Sequence, residues 1–252
     1  MKKGAVTAII AIVLVCIFTA GGVVGNMLGL FSKGNSVQYS SKQCTLEESS
    51  LYGKKIIFLG SSVTYGYCSL GDSFVDYLEH QYGVIPIKEA KSGTTLVDND
   101  KSSYISRMKT IDKHFSADAF VCQLSTNDAT KNMPLGEISD SYDINTFDTK
   151  TVIGAIEYII AYAKSTWSCP VVFFTNPKYD SDAYAKMVEA IEKLSQKWTI
   201  GVIDLWNYDE VNDMSASNDF MNDDIHPTRR GYKELWTPVF KECLERFTTR
   251  YY

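Results

Sequence analysis

Lys55-Ile-Ile-Phe-Leu-Gly-Ser-Ser-Val-Thr-Tyr-Gly66 is the stretch on which the reading of this chain turns. Four apolar residues, Ile56 to Leu59, stop at Gly60, and Ser61 and Ser62 follow. A short apolar run bounded by turn residues reads as a buried strand that ends in a tight turn before a helix. In an open α/β sheet ligands bind at the carboxyl ends of the strands, and a serine just past the bend stands at that edge. Taken alone, serine in this position is ordinary turn chemistry.

Outward from this stretch, short apolar runs alternate with helical periodicity. Strands are predicted over 55–59, 84–89, 119–124, 171–175 and 200–205, and helices over 73–82, 104–111, 151–164, 183–198 and 229–247. The helix over 151–164 is the clearest, because Val152, Ala155, Ile156, Ile159, Ile160 and Ala163 recur at three- and four-residue spacing. Such βα alternation calls for a mostly parallel sheet with helices on both faces, an α/β/α sandwich. Pro86 removes a ladder donor from the second run and makes it an edge strand. Two long connections, 129–150 and 206–221, leave the strand ends without a regular pattern. Met133, Leu135, Trp206, Tyr208, Phe220 and Met221 in them are expected to wall a cleft.

The far end of the chain gives Ser62 a chemical context. Asp223-Asp224-Ile225-His226-Pro227 places a carboxylate three residues before an imidazole, just ahead of the last helix. A serine hydroxyl becomes a nucleophile when a base takes its proton, and the base needs a group to orient it. Between these ends, Ser92-Gly93-Thr94-Thr95 and Ser125-Thr126-Asn127-Asp128 each follow a predicted strand. They offer a backbone N–H and a side-chain amide to a developing oxyanion. His80 and His114 lie in charged surroundings and read as surface residues, and Asp128 and Asp204 read as carboxylates that hold their own loops.

Four elements in this order resemble the SGNH hydrolases, also called GDSL-like lipases and esterases, over about residues 54–246. The resemblance implies the SGNH hydrolase fold, with a flavodoxin-like five-stranded sheet in the order 2-1-3-4-5. It implies Ser62, Asp223 and His226 as a catalytic triad, and Ser62, Gly93 and Asn127 as the oxyanion hole. Two positions depart from the family pattern. The usual Gly-Asp-Ser-Leu reads Gly60-Ser61-Ser62-Val63, and Ser125 stands where a glycine is usual, which is expected to narrow the pocket floor.

Residues 1–33 form a separate segment. Met1-Lys2-Lys3 precedes an uncharged, largely apolar run from Gly4 to Ser32, long enough to cross a bilayer as a transmembrane helix. The two lysines would hold its start in the cytoplasm and place the catalytic domain, 54–252, outside the membrane. A cleaved signal peptide with small residues at Ala20-Gly21-Gly22 is the rival reading, and would make the protein secreted. Residues 34–53, polar and serine-rich, read as a tether. Without Lys2 and Lys3 the rest has 25 − 2 = 23 basic against 30 acidic residues, a balance of −7. That balance disfavours nucleic acid or anionic lipid as a partner. Five cysteines outside the apolar run have no metal-ligand spacing, there is no phosphate-binding glycine motif, and neither metal nor cofactor is expected. The expected activity is an extracytoplasmic serine esterase cleaving an ester of a small molecule or glycan, above all a short O-acyl or O-acetyl group on a carbohydrate. An acyltransferase with the same triad, or a glycan-binding protein that kept the fold, are the alternatives.

Overall fold

A computed structural model of the chain describes Gly25 and residues 29–249. Strands β1 (Lys55–Gly60), β2 (Ile85–Ala90), β3 (Ala119–Gln123), β4 (Val171–Phe174) and β5 (Gly201–Ile203) form one parallel sheet in the order β2-β1-β3-β4-β5. The helices are α1 (Ser62–Tyr65), α2 (Phe74–Tyr82), α3 (Tyr104–Met108), α4 (Thr126–Thr130), α5 (Val152–Trp167), α6 (Asp182–Trp198) and α7 (Asp209–Ser215). The chain closes with α8 (Arg229–Gly231), a π-helical turn (Tyr232–Trp236) and α9 (Thr237–Thr249).

Alternation along the strands divides the core into two layers, because successive side chains point to opposite faces of a sheet. Ile57, Leu59, Phe120, Cys122, Val171 and Phe173 pack with residues of α3, α5 and α6 on one face. Ile56, Phe58, Val121, Val172, Phe174 and Ile203 pack with α2 and α9 on the other. The inner strands are buried on both faces, which is why they read as unbroken apolar runs. β2, in contrast, is half exposed at the edge, with Pro86 opposite Ile56. Side-chain caps start the helices: Ser73 and Asp76 form a capping box at α2, and Thr151 and Ser181 cap α5 and α6.

Three expectations need correction. The last helix is not regular, because Pro238 has no N–H to give to the carbonyl four residues back. The chain widens there, and both the Thr237 N–H and its hydroxyl bond the Tyr232 carbonyl. Residues 206–221 are not structureless: they contain α7, and Trp206, Phe220 and Met221 are buried while Tyr208 is exposed. Residues 34–53 are not a free tether. They carry 3₁₀ turns from Lys33 to Gln43 that lie against the domain, with Asn35, Ser40 and Ser41 buried. The segment is held by side-chain hydrogen bonds, which leave no periodicity in the sequence. Ser40 and Ser41 donate to Asp72, and Asp72 also pairs with Arg229 at 2.7 Å.

Among the described residues no helix is long and apolar enough to cross a membrane. Most of the apolar run from Gly4 to Ser32, which carried the expected anchor, lies outside the described residues. No disulfide forms among the described cysteines.

Candidate active site

The site begins where β1 ends. A side chain at Gly60 would put its Cβ 1.9 Å from Thr64 Oγ1 and 2.9 Å from Gln123 Oε1, so only glycine lets the chain turn here. Gln123, fully buried at the end of β3, accepts from the Ser61 N–H at 2.9 Å and from the Thr64 hydroxyl at 2.9 Å. From the other side the Tyr232 hydroxyl donates to the Val63 carbonyl at 2.6 Å. α1 is thus clamped from both sides, with Ser62 as its first residue.

His226 comes from a tight loop with its own internal bonds. The Asp223 carboxylate accepts from the Ile225 and His226 N–H groups at 2.9 and 2.8 Å, and the Asn222 N–H bonds the His226 carbonyl at 2.8 Å. Met221 and Pro227 bridge across the base of the loop, and the Asn176 amide donates to the Ile225 carbonyl at 2.9 Å. The result is a continuous relay. His226 Nε2 lies 2.8 Å from Ser62 Oγ, and Nδ1 lies 2.9 Å from each Asp223 oxygen. Burial alone would raise the Asp223 carboxyl, but the hydrogen bond and charge of His226 and the two backbone N–H groups outweigh it. The carboxyl is held below its ordinary value and stays ionised beside the imidazole. Tyr67 covers the imidazole, with ring centres 5.4 Å apart, and Cys68 Sγ lies 4.0 Å from Asp223 Oδ2.

Gly93 and Asn127 sit on neighbouring loops. Gly93 has φ +78°, a left-handed conformation that favours glycine. Its carbonyl accepts from Lys131 Nζ at 2.7 Å. Asn127 spends one amide N–H on the Thr94 carbonyl at 3.0 Å, and an amide has a second to offer. Asp128 accepts from the Leu96 and Val97 N–H groups at 2.8 and 3.1 Å, the loop-holding role expected for it. Asp204 likewise accepts from the Asn207 N–H and the Thr175 hydroxyl. Ser125, expected to narrow the pocket floor, is instead fully buried. Its hydroxyl caps α4 and reaches the Thr94 carbonyl.

Two residues behind the site were not singled out by sequence. Arg107, 8 % exposed, donates from Nη2 to the Gly60 carbonyl at 2.8 Å and to Thr94 Oγ1 at 3.1 Å. Its Nη1 bonds the Glu89 carbonyl and its Nε the Ser102 carbonyl, both at 2.9 Å. One guanidinium therefore ties the ends of β1 and β2 to the Gly93 loop. Gln123 carried a signal, a polar residue closing an otherwise apolar strand. Arg107 carried none, since charge on a short helix ordinarily reads as a solvated face.

Beside Asp223 opens a cavity of about 400 Å³ lined by Lys178, Tyr179, Asp180, Asn212, Asn218 and Asp224, among others.

Residues 58–234 match the model of the GDSL-like Lipase/Acylhydrolase family. No curated protein matches the chain. Among solved structures it is similar to a Lactobacillus plantarum protein, at 19 % identity and TM-score 0.62, covering 80 % of this chain and 99 % of that one. It is similar to the lipase/acylhydrolase of Enterococcus faecalis, at 20 % identity and TM-score 0.53, covering 78 % and 96 %. It is also similar to a catalytic mutant of an acetylxylan esterase from Geobacillus stearothermophilus, at 15 % identity and TM-score 0.53, covering 77 % and 94 %. At these identities the likeness speaks for the fold. The family model, spanning most of the chain from β1 to the closing helices, speaks for the chemistry: this chain belongs to the GDSL-like lipase/acylhydrolase family and is a serine hydrolase acting on esters.

Proposed function

We propose that Ser62, His226 and Asp223 carry the hydrolysis, and that the substrate is a short-chain O-acyl ester, an O-acetyl group on a carbohydrate above all. The observation that carries the first part is the unbroken relay from Asp223 through His226 to Ser62, at 2.9 and 2.8 Å. Ser62 Oγ attacks the ester carbonyl as its proton passes to His226 Nε2, and that proton then goes to the leaving alcohol oxygen. Asp223 fixes the tautomer with its proton on Nδ1 and stabilises the imidazolium that forms. The Ser62 and Gly93 N–H groups and the second amide N–H of Asn127 receive the oxyanion. Water repeats the sequence on the acyl-enzyme and releases the acid.

The substrate class is supported by the polar cavity beside Asp223, whose amide, carboxylate, ammonium and phenol groups suit hydroxyls rather than an acyl chain. The negative balance of the chain fits a neutral glycan better than an anionic lipid. One similar structure is of an acetylxylan esterase. The burial of Ser125 removes one reason for expecting a narrow acyl pocket, so acyl length rests on measurement. The test is kcat/KM for acetyl, butyryl, octanoyl and palmitoyl esters of one alcohol, beside acetate release from acetylated glycans. The rate is expected to fall beyond butyryl, with acetate released. A rise towards octanoyl with no acetate from any glycan would overturn the carbohydrate reading.

Lys2 and Lys3 before the apolar run support a single span with the catalytic domain outside the cell. Protease added to intact, wall-stripped cells would then digest the domain, whereas protection until lysis would reverse the orientation.

A further inference from the structure

Cys68 is a side chain beside Asp223 that the hydrolytic relay does not use, and the Asn222 side chain hydrogen-bonds it. It is fully buried on the 3₁₀ turn Tyr67–Ser69 that follows α1, and the turn is pinned by the Asn35 amide, which donates to the Cys68 carbonyl at 2.7 Å. Its Sγ lies 4.0 Å from Asp223 Oδ2, which lies 2.9 Å from His226 Nδ1. One donor atom from each of Cys68, Asp223 and His226 lies within 4.8 Å of the other two. Zinc takes sulfur, imidazole nitrogen and carboxylate oxygen in a tetrahedron, and its bond lengths set donor-to-donor edges of roughly 3.3–3.7 Å. Two edges, 4.0 and 2.9 Å, bracket that range, and the third, from sulfur to the imidazole, is within 4.8 Å, so side-chain shifts of up to about 1 Å would seat the ion. The Asp223 side chain is 48 % exposed, which leaves an entry path and room for water as a fourth ligand.

We propose that Cys68, Asp223 and His226 form an inhibitory site for zinc, in which the ion switches off the hydrolase by taking the orienting side of its base. The consequence for catalysis rests on the triad reading above. Zinc on Nδ1 requires that nitrogen's lone pair, so the imidazole proton resides on Nε2 and the thiol proton leaves to solvent. Nε2 then donates to Ser62 Oγ instead of accepting from it, and Ser62 has no base. A sulfur and a nitrogen donor with a single carboxylate select a thiophilic cation over magnesium or calcium, which prefer oxygen ligands. The spacing signal was absent from the sequence because 155 residues separate Cys68 from Asp223.

The experiment uses the full chain. Hydrolysis of an acetyl ester is measured against buffered free zinc, with magnesium in parallel, and EDTA is then added. Saturable inhibition that EDTA reverses and magnesium does not mimic is expected. Cys68→Ala and Cys68→Ser should keep the basal rate and need at least about 10-fold more zinc, as for the loss of a metal contact. Binding is read independently by thiolate-to-cadmium absorption in the wild type and in Ser62→Ala. Cys68→Ala should lack the share of this absorption that titrates with the inhibition, the half-exposed Cys44 and Cys243 setting the background. Equal zinc sensitivity of wild type and both Cys68 variants, or a cadmium-loaded wild type without thiolate absorption, would overturn the site. If Ser62→Ala still hydrolyses ester while the Cys68-dependent absorption persists, the triad reading falls and the metal site stands.

Discussion

At the scale of single residues, chemistry and support separate. Asp223→Asn should leave the loop in place yet present the wrong imidazole tautomer, and kcat should fall by about 10⁴-fold, as in other triads of this geometry. Asn127→Ala should lower kcat by about 10²–10³-fold with a smaller change in KM, the effect the proposed oxyanion role of its second amide N–H requires. Steady-state kinetics on variants with unchanged melting temperature checks both. A loss of stability with normal turnover of the folded fraction would instead make Asn127 a loop clamp through its bond to the Thr94 carbonyl. The residues proposed to do the chemistry were legible because their types are rare in combination: a serine after a strand, and Asp-x-x-His before the last helix. Gln123 and Arg107 act through backbone carbonyls and N–H groups, and such contacts leave no fixed spacing for a sequence to display.

At the scale of elements, the strand ends and loops that form the site are held together by buried polar atoms rather than by apolar packing. Arg107→Met would take this donor from the Gly60, Glu89 and Ser102 carbonyls; the Gly60 carbonyl keeps the Lys91 N–H, and each buried group left unpaired costs about 1–3 kcal/mol. Melting temperature and kcat should both drop. Arg107→Lys should recover only part of either, since one ammonium cannot span three carbonyls set apart for a planar fork. Normal kcat in Arg107→Met would show that the Gly93 loop keeps its place unaided. Strands and long helices were read to within a few residues because burial on two faces, or on one stripe, writes a period into the sequence. The π turn before Pro238 and the helix at 209–215 escaped because the first depends on one missing N–H and the second on a short run of mixed polarity.

Across the whole molecule, the segment leading to the domain is tied to both halves of the relay. Asn35 donates to the Cys68 carbonyl beyond α1 and accepts from the Arg229 N–H just past the His226 loop. Asn35→Ala should therefore cost about 1–3 kcal/mol of stability, read as a lower melting temperature. An unchanged melting temperature would return residues 34–53 to the role of a loose tether. Phe74→Ala, in the aromatic cluster where the Phe74 and Phe240 ring centres lie 4.0 Å apart, should cost about 3–5 kcal/mol while the folded fraction keeps its turnover. These supports matter only if the relay they hold is the catalytic one. The most direct test is the mass of the intact chain after reaction with a fluorophosphonate, followed by peptide mapping. One adduct per chain on Ser62, absent from Ser62→Ala and strongly slowed in His226→Ala, is the predicted result. An adduct on Ser61, or equal labelling of Ser62→Ala and wild type, would contradict it.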